Sequence, residues 1–132
     1  MKYGIMCAMD EEIALLKEDF TASRITTVAG REFYEGALYG KPAVMVRSRI
    51  GKVAAAATTS LLIDRFGVDC VVFSGTAGGV GDTLEAGDIV VADQLIQHDF
   101  FTGVDFFRIP LLDRDYFDTD PELTRRLLEA AN

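Results

Sequence analysis

The stretch Val71–Asp93, VVFSGTAGGVGDTLEAGDIVVAD, constrains this chain more than any other. An apolar run, Val71–Phe73, enters a loop carrying Gly75, Gly78, Gly79 and Gly81, and a second apolar run, Ile89–Val91, follows. Short β-branched runs bounded by glycines predict buried strands. Small residues at the end of a buried strand let backbone N–H groups approach a ligand closely. The loop matches neither GxGxxG nor GxxxxGK[ST], holds no lysine, and leads into a second predicted strand where those motifs require a helix. The standard phosphate cradles are therefore excluded. A ligand-binding loop and a plain glycine-rich turn both stay open.

The residues before this stretch predict what surrounds it. Tyr3–Cys7 reads as a buried strand. Asp10, Glu11 and Glu12 then open a helix with Ile13, Leu15, Leu16 and Phe20 as its apolar positions. Acids in a first turn suit the positive end of the helix dipole, and Glu12 can be no more than that. The other reading places Glu12 over the carboxyl edge of a sheet, where α/β proteins bind ligands. Arg24–Val28, Arg31–Tyr39 and Pro42–Ser48 are strand candidates. The short turns Ala29-Gly30 and Gly40-Lys41 make them an antiparallel meander. Gly51–Phe66 is a predicted helix, with Ala54–Ala57 favouring helix and Val53, Ala57, Leu61 and Leu62 as its apolar face. Gly67 is its stop signal. This helix links two strands of one sheet by a right-handed crossover into Cys70–Phe73. The fold class that follows is α/β, with a mixed central sheet flanked by helices.

Function classes narrow on composition. The 132 residues, 49% of them hydrophobic, suffice for one domain or a large part of one. No apolar run approaches the ~18 residues of a membrane span, and the N-terminus meets acids too early for a secretory signal. A soluble, cytoplasmic protein is expected. A net charge of −8 argues against nucleic acid and anionic membranes as partners. Cys7 and Cys70 lie in apolar runs and read as buried free thiols, and with His98 the single histidine no metal site is visible. Gln97–Leu112 is rich in aromatics and either caps a ligand or packs on its own core. His98-Asp99 is either a polar pair at a site or a structural pair. Asp120-Pro121-Glu122 starts a final amphipathic helix with Leu123, Leu127, Leu128 and Ala131 on one face.

Three segments together carry a resemblance. MCAMDEEIALL, SRIGKVAAAATTSLL and FSGTAGGVGDTLEAGDIVVAD resemble the 5′-methylthioadenosine/S-adenosylhomocysteine nucleosidases of the purine nucleoside phosphorylase superfamily. That pattern reads GAMEEE, SGIGKVNAA and TGSAGG…L..GDIV, in the same order and at nearly the same spacing. The resemblance implies a phosphorylase/hydrolase-like fold and N-glycosidic hydrolysis without metal or organic cofactor. It makes Glu12 the catalytic acid that holds and activates water. Ala8 and Met9 would line the pocket under the ribose, and Ile50 would touch the sugar or the alkylthio group. Thr76 stands where the family has Ser, and its hydroxyl would help to position water. Ala77 and Gly78 would present backbone to the purine or ribose.

Further expectations follow from the same resemblance. The substrate would be a small nucleoside and the assembly a homodimer, with Phe100–Phe107 reached by the neighbouring subunit's pocket. Phe73 occupies the place of a phosphate-binding arginine of the phosphorylases, which favours water as acceptor. Arg49 departs from the family's Gly and leaves room for a phosphate-using variant. The VEMEA-like and SD-containing motifs, which supply the ribose-binding Glu and the purine-protonating Asp, are not found. Residues 1–132 thus read as the N-terminal portion of a single, truncated nucleosidase domain. A related purine nucleosidase or phosphorylase of the futalosine type is the nearest alternative, and a non-catalytic fragment or interaction module is the alternative outside enzymes.

Overall fold

The computed structural model describes residues 1–100 and 114–131. They belong to two compact units, Met1–Gly78 and Gly79–Asn132. The first holds β1 (Tyr3–Cys7), α1 (Asp10–Asp19), β2 (Phe20–Val28), β3 (Arg31–Leu38), β4 (Lys41–Arg47), α2 (Lys52–Asp64) and β5 (Cys70–Phe73). Its sheet runs β2-β3-β4-β1-β5. β1 is central and parallel to both neighbours, pairing Ile5 with Met45 and with Val72. β2, β3 and β4 form the expected antiparallel meander. The sheet is therefore mixed, as the short turns and the helical crossover require.

Alternation along β1 divides the core between two faces. Met6 faces one side with Val44, Val46, Phe33, Leu62, Phe66 and Val68, and the rings of Phe33 and Phe66 stack at 4.4 Å. Ile5 and Cys7 face the other side with Ala43, Met45 and Ile13. α2 covers the first face through Leu62 and α1 covers the second through Ile13.

Several boundaries differ from expectation. Phe20 belongs to β2 and not to the helix, so β2 starts four residues before the expected Arg24. The second turn is Tyr39-Gly40, with φ of 47° and 73°, and β4 begins at Lys41. Both hairpin turns place two successive residues at positive φ, the requirement of a type I′ turn. The face of α2 is the larger correction. Val53 is 86% exposed and Ala57 is exposed, whereas Thr58 and Leu62 are fully buried with Ala55 and Leu61 beside them. An alanine-rich helix has no sharp apolar stripe, so its sequence leaves the rotation about its axis open. Thr58 tolerates burial because its hydroxyl donates to Ala54 O at 2.7 Å. Gly67 ends the helix as expected, at φ +61°.

The second unit holds β6 (Gln94–Ile96), β7 (Tyr116–Asp118) and α3 (Pro121–Ala131), with β6 and β7 antiparallel. Ile89–Val91, expected to be a strand, is irregular, and Ile89 is 72% exposed. A β-branched run becomes a strand only when a neighbour takes its backbone groups, and none of the described strands pairs with this run. α3 matches expectation: Asp120 Oδ1 accepts from Leu123 N at 2.9 Å, Pro121 follows it, and Arg125 pairs with Glu122 and Glu129. His98 and Asp99 are exposed. Residues 101–113, most of the aromatic segment and of the expected Phe100–Phe107 subunit contact, lie outside the described residues. Cys7 is buried, Cys70 is partly buried, and neither is in a disulfide. Among the described residues no helix is long and apolar enough to cross a membrane, and no group of three or more His, Cys, Asp or Glu could hold a metal ion.

Candidate functional site

Because β1, β4 and β5 are parallel, their carboxyl ends lie on one edge of the sheet. The segments that follow them, Ala8–Glu12, Ser48–Ile50 and Ser74–Gly78, gather there. Backbone bonds fix the departures: Ser48 N donates to Cys7 O at 2.8 Å, and Ser74 N to Met6 O at 3.0 Å. This edge is where open α/β sheets bind ligands.

Glu12 is the centre of the arrangement. It is the third residue of α1, so its side chain reaches back over the helix N-terminus. Oε2 accepts from Ala8 N at 2.8 Å and Met9 N at 2.9 Å. Oε1 accepts from Thr76 N at 2.9 Å and from Thr76 Oγ1 at 3.1 Å. The residue thus caps the helix and also ties the glycine loop to the first strand, across 64 positions of sequence. The two readings of Glu12 left open by the sequence are compatible, since one carboxylate has two oxygens. Its pKa lies below the ordinary 4.5, first because of the Thr76 N–H; desolvation, next in size, opposes the shift, and the Met9 and Ala8 N–H groups and the Thr76 hydroxyl lower the pKa further. Glu12 is therefore an anion at neutral pH. Burial, and secondarily the Glu12 charge, pushes the Cys7 thiol up to about 11, which leaves it un-ionised and inert.

The loop glycines are not equivalent. A Cβ on Gly75 would stand 2.7 Å from Glu12 Oε1, so glycine is what allows this contact. A Cβ on Gly78 would meet nothing within 4 Å. The sequence places Gly75 in the loop but does not set it apart from Gly78, Gly79 and Gly81. Its position directly before the only hydroxyl residue of the loop core was the available signal.

Of the expected site residues, the fold brings together Ala8, Met9, Glu12 and Thr76 through the hydrogen bonds above. Ile50 joins them in part: it is 76% exposed and lines an open groove of about 380 Å³ with Ala8, Met9, Asp10, Arg47 and Arg49. Glu12 does not line that groove. Ala77 and Gly78 follow Thr76 on the exposed loop without a described hydrogen bond of their own. Arg47 is held by an ion pair with Asp10.

Comparison with known proteins bears on this geometry. The family model described as the phosphorylase superfamily matches residues 2–132. A protein of Colwellia psychrerythraea (strain 34H / ATCC BAA-681) named 5′-methylthioadenosine/S-adenosylhomocysteine nucleosidase is 52% identical over 99 residues, which cover 75% of this chain and 41% of that protein. The solved structure of a 5′-methylthioadenosine/S-adenosylhomocysteine nucleosidase from Colwellia psychrerythraea 34H in complex with adenine superposes with a TM-score of 0.91 at 41% identity, covering 98% of this chain and 54% of that one. Futalosine hydrolase of Helicobacter pylori strain 26695 superposes at 0.88 with 35% identity, covering all of this chain and 58% of the other. The chain thus spans about half the length of the relatives it matches.

Proposed function

The chain belongs to the phosphorylase superfamily, and on that premise we propose that it is the N-terminal portion of a nucleosidase domain that hydrolyses the N-glycosidic bond of 5′-methylthioadenosine or S-adenosylhomocysteine, releasing adenine and a thioribose. The observation that carries this reading is the ionised Glu12 carboxylate, held at the carboxyl edge of the sheet by Ala8, Met9 and Thr76. Cleavage of an N-glycosidic bond develops positive charge on the ribose and negative charge on the leaving base. A fixed anion beside the sugar stabilises that cation. A carboxylate of low pKa is a weak base, so its contribution is to orient water and oppose charge until the attacking oxygen itself turns acidic. Oε1 is the oxygen available for this, because Thr76 shares it through a hydroxyl that can turn and accept as well as donate.

The remaining roles follow the same reading. Ala8 and Met9 lie under the ribose, Ile50 against the 5′-alkylthio group, and Ala77 and Gly78 offer backbone to the nucleoside. The purine-protonating Asp and the ribose-binding Glu are supplied by chain beyond the motifs present here. The assembly is a homodimer and its location the cytoplasm. A futalosine-type hydrolase is the second reading, favoured by the Helicobacter pylori likeness.

Adenine release from methylthioadenosine tests the first reading, using the whole protein that carries this sequence. Glu12→Gln is expected to lower kcat by about 10²–10⁴-fold with the circular dichroism spectrum unchanged. Turnover within about twofold of the parent would overturn the role of Glu12. Release of base from futalosine and not from methylthioadenosine would transfer the assignment to the second reading.

A further inference from the structure

Arg49 is out of keeping with its backbone. Three non-glycine residues among those described have positive φ: Ala29, Tyr39 and Arg49. The first two occupy hairpin turns that demand it. Arg49, at φ 72°, lies in the β4–α2 connection and belongs to no hairpin. A side chain in left-handed backbone carries a conformational cost, and such outliers cluster where a ligand is held.

The surroundings give that cost a use. Arg49 lines two adjoining hollows, which also share Asp10 and Arg47. One is the groove of about 380 Å³ beside Ile50 and Met9, and the other is a cavity of about 210 Å³. The smaller cavity collects Lys17, Arg31, Arg47 and Arg49 against Asp10 and Glu32. Four cations to two acids is an excess of positive charge in a chain of net charge −8. The acids are already engaged, Asp10 with Arg47 and Glu32 with the Tyr34 hydroxyl at 2.9 Å. Arg49 donates Nη2 to Gly30 O at 2.9 Å, and Arg31 donates Nε to Ser48 O at 3.1 Å and Nη1 to Ala29 O at 3.0 Å. These carbonyls orient both guanidinium groups and leave their positive charge uncancelled. Each guanidinium has five N–H groups, so donors are left over on both.

We propose that this cluster, with Arg49 at its centre, is a subsite for a carboxylate carried on the 5′ substituent of the nucleoside. The proposal rests on the nucleosidase reading, in which the 5′ group lies against Ile50, the residue next to Arg49. A neutral 5′-methylthio group ends in the open groove. A longer acid-bearing 5′ tail continues past Ile50 into the cationic cavity, where the planar forks of Arg49 and Arg31 match a carboxylate. The subsite selects among nucleosides and takes no part in bond cleavage.

The test compares two probes, methylthioadenosine and 5′-(3-carboxypropylthio)adenosine, by equilibrium titration at low salt of the whole protein that carries this sequence, in a Glu12→Gln background that slows turnover of either probe. The acid-tailed probe is expected to bind about 10-fold more tightly, an advantage that shrinks with added salt because it is electrostatic. Arg49→Gly, which suits the backbone, is expected to bring the ratio of the two affinities close to 1, and Arg49→Lys to retain part of it. Equal affinities in the parent, or a ratio unchanged in Arg49→Gly, would overturn the subsite while leaving the nucleosidase reading in place. Binding of neither probe would overturn both. Inorganic phosphate that tightens methylthioadenosine binding would assign the cluster to a free oxyanion and overturn the tail subsite.

Discussion

Helices α2 and α3 have opposite relations to their sequences. α2 is alanine-rich and has no sharp stripe, yet Thr58 and Leu62 on it are fully buried against the sheet. α3 has a clean apolar face, a side-chain cap, a proline in its first turn and an ion-pair ladder, yet no described residue of it is buried, and Leu127 is 45% exposed. Periodicity states which face of a helix would gain from burial. It does not supply the surface that buries it. α2 has the sheet of its own unit, built by strands on both sides of it in sequence, and its packing sets the rotation that its sequence leaves free. α3 is a helix made by local signals, which fix its ends and its face before any packing.

The sharpest way to break this comparison is to truncate matched leucines. Leu62→Ala should cost about 2–5 kcal/mol, through lost burial and the cavity it leaves, whereas Leu127→Ala should stay within about 0.5 kcal/mol. Urea denaturation followed by circular dichroism reads both. Equal costs would show that α3 is buried as α2 is, and would end the contrast. A smaller effect sharpens it from the other side. Asp120→Ala should cost α3 about 1 kcal/mol by removing its cap, seen as faster amide exchange at Leu123 while the amides of α2 keep their protection.

The smallest effect concerns the clamp at the N-terminus of α1, which joins segments distant in sequence. Glu12 accepts hydrogen bonds from the end of β1 and from the loop after β5, and its folded pKa is depressed. Its contribution to stability is therefore full above the ordinary carboxylate pKa of 4.5 and is lost as pH falls through the lower folded value. Stability of the first unit should decline below about pH 4.5, and less steeply in Glu12→Gln. The same acid slope in parent and variant would show that the clamp adds nothing to the fold.

Much of the site was legible because it is built on strand ends. Tyr3–Cys7 and Cys70–Phe73 are short, apolar and bounded by turn signals, and the sequence marks the segments after them as sheet-edge segments. Glu12 was visible as an acid at a strand-to-helix junction, and the resemblance to the nucleosidases is what makes it the proposed catalytic acid. Gly75 was not singled out, because a glycine needed for close approach looks like any other glycine until the approaching group is known. The cationic cavity was equally hidden: Lys17, Arg31 and the neighbouring Arg47 and Arg49 come from three separate stretches of sequence.

By itself, then, the sequence determined the local elements of this protein: the β1 strand, the meander and its glycine turns, the stop at Gly67 and the cap at Asp120. Each depends on residues within a few positions of one another, where steric limits on φ and short-range hydrogen bonds act without help. Only the tertiary structure decided which face of α2 turns inward, that Ile89–Val91 stays irregular, and that Thr76 meets Glu12. The reason is that burial and strand pairing need a partner surface. The identity of that partner is a property of the assembled sheet and not of the segment that uses it.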